Sequence, residues 1–379
     1  MSRMRAGFEQ VAGQAAPPTR LSADGVYAEA LRRRRANRTR LGAGVATLLA
    51  AGVGLSLLTG GVPAPWPVGQ PGAGGRPLLS VMAGDAEHLF VTVEGCPGPA
   101  FEPDHCGPGL FGSDDGGRTW TERQDVVIGQ VSVPVPGVVF WQHPQEGSSI
   151  SQDGGLTWRD IQPMHPAIAE VPHNGWVTAD CPASPSACRL VAYDPASFTS
   201  FPLGAGPALI GLKILPVPAE SGIWITGRER LGEHRPVVAV SRDRGRRWAV
   251  HTFTDAGDPT YGVTAASTDG VTGYAMLGPQ AYRTIDAGDT WQRTDRLDTL
   301  PDPTGESFVA ADGSHVVPTG PGSWYSSRDG NDYQLTRLDG VRPPVHVIAP
   351  GLYVASDRTA VHRSTDGLHW TRIPVTIPR

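Results

Sequence analysis

This sequence predicts an all-β fold, a seven-bladed β-propeller preceded by a single N-terminal transmembrane helix. Three observations predict it: a short pattern that recurs six times, a spacing that leaves room for a seventh copy, and four short apolar runs within each interval. Self-similarity at a period of roughly 20–50 residues points to stacked or radial architectures, because one unit cannot bury its apolar face without its neighbours.

The pattern is Ser-x-Asp-x-Gly-x-Thr-Trp. It reads Ser113, Asp115, Gly117, Thr119, Trp120 and again Ser151, Asp153, Gly155, Thr157, Trp158. A third copy keeps Ser241, Asp243, Gly245 and Trp248, and a fourth keeps Asp286, Gly288, Thr290 and Trp291 with Thr284 in place of serine. Two copies are one residue shorter: Ser327, Asp329, Gly330, Tyr333, and Ser364, Asp366, Gly367, Trp370. The aspartates are separated by 38, 90, 43, 43 and 37 residues, so the long interval holds two periods. Asp194 lies near its middle, with Phe198 at the aromatic place, and completes seven units.

Each interval reads as four strands. Around the second copy they are Ile128 to Val135, Val138 to Gln142, Ser148 to Gln152 and Thr157 to Ile161, separated by turn-formers. Four strands per unit of about 40 residues is the signature of propeller blades. The pattern itself falls on the turn between strands three and four. Its carboxylate suits backbone N–H groups of a tight turn, its glycine a positive φ, and its tryptophan a large apolar contact at the start of strand four.

On these residues the chain resembles the Asp-box, or BNR-repeat, propellers over roughly residues 78–379. That superfamily includes sialidases, sortilin-type receptors and photosystem assembly factors. The resemblance implies that the boxes are structural and lie on the face away from the ligand site. None of the seven aspartates is therefore expected to be catalytic.

The N-terminus divides into three segments. Residues 41–60 carry no charge, and twenty helical residues span about 30 Å, the thickness of a bilayer core. Arg32, Arg33, Arg34, Arg35, Arg38 and Arg40 precede this segment and no basic cluster follows it. The positive-inside rule then places 1–40 in the cytoplasm and the propeller outside, on an uncleaved single-pass anchor in the cell membrane. Residues 61–77 read as a Pro/Gly linker and 78–379 as the extracytoplasmic propeller. The net charge of −5 argues against a nucleic-acid partner.

Four cysteines fall into two local pairs, Cys96 with Cys106 and Cys181 with Cys188. In an exported domain such pairs read as disulfides. The sequence places both between strands two and three, in blades one and three, hence on the face opposite the boxes.

Function is sought on that face. Its loops carry Glu94, Glu102, Asp104 and His105 in blade one, His143 and Glu146 in blade two, and Asp357 and Arg358 in blade seven. Blade four carries the most charged loop, with Arg228, Arg230, His234 and Arg235. Arginine presents a planar fork to carboxylate or phosphate, so these residues form the candidate ligand site. No metal site, cofactor or catalytic residue is assigned: the chain holds no Gly-x-Ser-x-Gly, His-Glu-x-x-His or phosphate loop. The expected role is a binding or assembly scaffold for a protein or cell-envelope glycan, with membrane contact through 41–60. The alternative is a sialidase-like exo-glycoside hydrolase, which requires three arginines, a tyrosine and a glutamate converging in the centre. Arg372-Ile373-Pro374 resembles a sialidase arginine motif but follows the last box rather than opening the propeller.

Overall fold

The computed structural model describes residues 76–95, 107–125, 127, 129–143, 147–181, 188–255, 262–294, 300–320 and 322–377. All of them belong to one compact unit, Pro67–Arg379. Residues 1–40, the 41–60 segment and most of the linker lie outside the described residues. Among the described residues no helix is long and apolar enough to cross a membrane.

Seven four-stranded sheets form the propeller. Blade one is β1 (Leu78–Ala83), β2 (Leu89–Val93), β3 (Gly109–Ser113) and β4 (Thr121–Gln124). Blade two is β5 (Gln130–Val135), β6 (Val138–His143), β7 (Gly147–Ser151) and β8 (Arg159–Asp160), within two residues of the expected runs. Blade three holds β10 (Trp176–Asp180), β11 (Arg189–Asp194), β12 (Thr199–Pro202) and, at its edge, β9 (Gln162–Pro163). Blade four is β13 (Leu209–Ile214), β14 (Ile223–Glu229), β15 (Pro236–Ser241) and β16 (Ala249–Thr252). Blade five is β17 (Val263–Ser267), β18 (Gly273–Leu277), β19 (Gln280–Thr284) and β20 (Gln292–Arg293). Blade six is β21 (Phe308–Val309), β22 (His315–Gly320), β23 (Ser323–Ser327) and β24 (Gln334–Thr336). Blade seven is β25 (His346–Ala349), β26 (Leu352–Ser356), β27 (Ala360–Ser364) and β28 (Thr371–Pro374).

Blade three corrects the expectation that each blade uses four consecutive strands. Its edge strand β9 precedes it in the chain, directly after β8 of blade two, and pairs with β12 in parallel. Asp194 therefore lies in the turn between the second and third strands of its sheet, not between the third and fourth. Two contacts orient this blade. Gln152 Nε2, in the repeat turn of blade two, donates to Pro195 O at 2.8 Å. Val171 N donates to Arg244 O, in the repeat turn of blade four, at 2.8 Å. The start of β10 and the turn after β11 thus lie on the face that carries the repeat turns. β10 runs away from that face, the reverse of β1 and β13. Blade three starts one strand out of phase, and β9 fills its vacant edge.

Cys181 and Cys188 are bonded to each other. They join β10 to β11, the first and second strands, which corrects the predicted place between strands two and three. The reversed phase still puts this disulfide on the face opposite the repeat turns. Cys96 and Cys106 lie outside the described residues.

The ring closes by packing. Blades one and seven each keep four consecutive strands, and their apolar faces merge into one core of Leu78, Val81, Leu89, Val91, Phe111, Trp120, Val354 and Val361. Two hydrogen bonds cross the seam: Leu78 N donates to Arg358 O at 2.9 Å, and Arg363 Nη1 donates to Ala86 O at 2.9 Å.

Candidate functional site

The repeat turns consume their own polar groups. In the first, Gly117 N donates to Ser113 Oγ (2.8 Å), Ser113 Oγ donates to Asp115 Oδ1 (2.8 Å), and Thr119 donates through N (2.9 Å) and Oγ1 (2.7 Å) to the same carboxylate. Trp120 Nε1 closes the turn on Gly117 O at 3.1 Å. The hydroxyl bond from the box serine or threonine to the carboxylate, and a backbone N–H donated to it, recur at Asp153, Asp243, Asp286, Asp329 and Asp366. Asp194 keeps a reduced version, accepting from Ala196 N at 3.0 Å and Ser197 Oγ at 2.6 Å. A further copy escaped sequence reading. Ser267, Asp269 and Gly270 make the short form of the turn between β17 and β18, with the Ser-x-Asp-Gly spacing of Ser327 and Ser364.

These bonds favour the ionised carboxylates. The Thr119 N–H and hydroxyl hold Asp115 down to about 2, the Thr157 hydroxyl and N–H do so for Asp153, and the Asn331 N–H for Asp329. His315 is shifted for another reason. It is fully buried, stacked on Tyr274 with ring centroids 4.6 Å apart, and burial pushes its imidazole down to about 3. Both kinds of group act in the same direction on acidification. Below about pH 6.5 the unfolded chain protonates His315 while the folded chain resists, so stability begins to fall there. The carboxylates contribute stability above their unfolded value near pH 4, and it is lost as pH falls towards 2. Chemical denaturation followed by tryptophan fluorescence is expected to show stability declining from pH 6.5 downwards and most steeply between about 4 and 2. A flat profile to pH 3 contradicts this account.

On the opposite face a cavity of about 220 Å³ opens where three segments meet. Leu78, Leu79, Ser80 and Val81 open β1; Arg342, Pro343 and Pro344 precede β25, which opens on His346; Ser356, Asp357 and Arg358 leave β26. A bulge between Leu78 and Ser80 interrupts the pairing with β2, and Leu79 beside it is 53% exposed although its neighbours pack inward.

The charges around this cavity are unequal in their engagement. Asp357 Oδ1 accepts from Ala360 N and Thr359 Oγ1 at 2.8 Å, and Oδ2 lies 2.9 Å from His362 Nε2. Burial pulls this carboxyl up, but the His362 and Thr359 bonds outweigh it and hold it below the usual range. Arg372 Nε lies 3.7 Å away and adds a compensating charge. Among the described residues Arg358 has one acidic partner, Glu94 at 4.0 Å, and is 66% exposed. Burial pushes the His346 imidazole down, against the opposing pull of Glu306. Glu306, before β21 of blade six, pairs with Lys213 on β13 of blade four, an ion pair that skips blade five.

Of the predicted residues, Asp357 and Arg358 meet at this cavity. The blade-four group does not join them. Arg228 Nη1 donates to His234 O at 3.2 Å, His234 Nδ1 lies 3.0 Å from Glu229 O, and Arg235 pairs with Glu233 at 2.7 Å. Together with exposed Arg230 they form a hairpin tipped by Leu231, 83% exposed. His143 ends β6 with its ring centroid 3.8 Å from that of Trp141, the planes tilted by 32°. Glu102, Asp104, His105 and Glu146 lie outside the described residues. Arg342 and His346 lie outside the predicted set because they sit at a connection between blades and not in a loop between strands two and three. Apart from the connection into blade three, which ends on the repeat-turn face, the connections between blades open on the same face, and the Arg342 loop is one of them. Among the described lining residues there are two arginines but neither the tyrosine nor the glutamate that the hydrolase alternative requires. Arg372 sits on the outer strand β28, its Nη2 donating to Thr359 Oγ1 at 2.8 Å.

No family model matches the chain, and no curated protein matches it. Among solved structures it is similar to the β-propeller domain of the Trilobed protease from Pyrococcus furiosus, described as having an open velcro topology. That match has a TM-score of 0.50 at 11% identity and covers 80% of this chain and 96% of that one. It is also similar to YCF48 from Cyanidioschyzon merolae (TM-score 0.39, 15% identity, 62% of this chain and 78% of that one). A third similarity is to the GH74 enzyme of Niastella koreensis (TM-score 0.38, 15% identity), covering 80% of this chain and 48% of that one. At these identities the likeness concerns the propeller fold.

Proposed function

We propose that this chain is a membrane-anchored, extracytoplasmic propeller of the Asp-box (BNR-repeat) kind. It acts as a binding or assembly scaffold for a protein or cell-envelope glycan, through the face opposite the repeat turns. The observation that carries this reading is the contrast between the two faces. On one, the box serines, threonines and aspartates are tied up within their own turns. On the other, Arg342 and Arg358 flank a cavity built by blades that close the ring. Binding residues favour loops set on a rigid scaffold, and the Cys181–Cys188 bridge stiffens a loop on this face. Residues 41–60, with the arginines before them, supply the anchor.

Two measurements test it. Alkaline phosphatase fused after residue 77 is expected to be active, and fused after residue 40 inactive. The full chain in detergent is expected to retain an envelope protein or a defined glycan on an array, with no turnover of a fluorogenic sialoside. Sialoside turnover overturns the scaffold reading in favour of a hydrolase.

A further inference from the structure

We propose that the cavity between β1, β25 and the β26–β27 loop binds an organic carboxylate whose neighbouring group is apolar, with Arg342 and Arg358 holding the carboxylate. This rests on the binding face proposed above and names the chemistry of one subsite within it.

Charge is the first argument. Asp357 is the acidic residue in the described lining, and both its oxygens are engaged within blade seven. Arg342 makes no hydrogen bond or ion pair with any described residue, and Arg358 is only loosely opposed by Glu94 at 4.0 Å. Two guanidinium groups with spare donors therefore face one opening, and such forks match a planar carboxylate in two-point contact. Placement is the second. Buried Val341 and Val345 pin the Arg342 loop on either side, and the Leu78 N–H bond to Arg358 O ties the other arginine's backbone to the seam. Little ordering of the backbone remains to be done on binding.

The walls choose among carboxylates. Leu78, Leu79, Val81, Pro343 and Pro344 offer an apolar surface, and the described lining contains no tryptophan, tyrosine or phenylalanine on which a sugar face would stack, the imidazole of His346 being its one ring. The volume of about 220 Å³ is below the usual range for drug-sized ligands and fits a single residue or a small acid. A polypeptide's C-terminal residue and a free small acid share this chemistry.

Ligand-detected NMR titration of the full chain in detergent separates the possibilities. N-acetyl-L-leucine is expected to bind saturably, and N-acetyl-L-leucinamide at least ten-fold more weakly, because the amide removes the charge-assisted bonds. Arg342→Ala and Arg358→Ala are each expected to weaken N-acetyl-L-leucine about ten-fold, while Arg118→Ala, exposed in the repeat turn of blade one on the other face, leaves it unchanged. A tetrapeptide ending in leucine that binds more tightly than N-acetyl-L-leucine identifies a chain end as the source; equal binding identifies a small acid. Equal affinity for the amide, for glucuronate or for inorganic phosphate overturns the proposal, as does unaltered binding in both arginine variants. Retention of a partner by a chain that fails these titrations rejects the subsite and leaves the scaffold reading standing.

Discussion

Val361→Asp is expected to open the ring at the junction of blades one and seven. Val361 is fully buried on β27 and belongs to the core that both blades share. The substitution removes apolar contact worth about 1.5–3 kcal/mol and places a carboxyl group where no described partner can reach it. A loss of about 4 kcal/mol or more is a large fraction of the roughly 5–15 kcal/mol that stabilises a typical domain. The other blades retain their own sheets, so the damage should be local before it is global. Hydrogen exchange is expected to accelerate first in β1 and β26, where Leu78 N loses its fixed partner Arg358 O, and later in β14 and β15 of blade four. Val250→Asp is the comparison: Val250 is 52% exposed on β16, and its change should stay within about 0.5 kcal/mol. If Val361→Asp melts all blades together with unchanged exchange at the seam, closure does not depend on this packing.

The second large effect is at Trp224, fully buried on β14 and part of the core shared by blades four and five. Its Nε1 donates to Ser221 O at 3.0 Å. Trp224→Ala is expected to cost about 4 kcal/mol through lost burial and a residual cavity. Gly273 exposes how tightly the indole fits. A Cβ there would sit 2.5 Å from Trp224 Cη2 and 2.9 Å from Cζ3. Gly273→Ala alone should therefore cost about 2 kcal/mol by overpacking. In a Trp224→Phe background those two atoms are gone, and the same change should cost much less. A double-mutant cycle in denaturant is expected to show a coupling of about 1–2 kcal/mol. Additivity would mean that the glycine is needed for its backbone and not for the space it leaves.

The repeat made most of the fold legible. Its local chemistry is strong enough to form the same turn wherever Ser, Asp and Gly stand at the right spacing, and the aspartate intervals marked the blades. The irregular places were the illegible ones. Gln162 and Pro163 carry no strand signal, and they become β9 only because β12 of the next blade offers an edge. The Ser267 turn was written plainly but fell outside the expected period. At the candidate site Asp357 and Arg358 were found from loop position alone, whereas Arg342 and His346 come from a connection between blades whose place in the ring only the assembled sheets reveal.

By itself, then, the sequence determined the kind of blade, the number of blades and the turn-locking role of the repeated aspartates. These follow from contacts between residues a few positions apart, which any copy of the pattern makes. The tertiary structure alone decided the phase of blade three, the closure of the ring by packing of blade one against blade seven, and the placement of Arg342 and Arg358 around one cavity. Each of these depends on groups far apart in the chain, and local periodicity carries no record of which distant surfaces will bury one another.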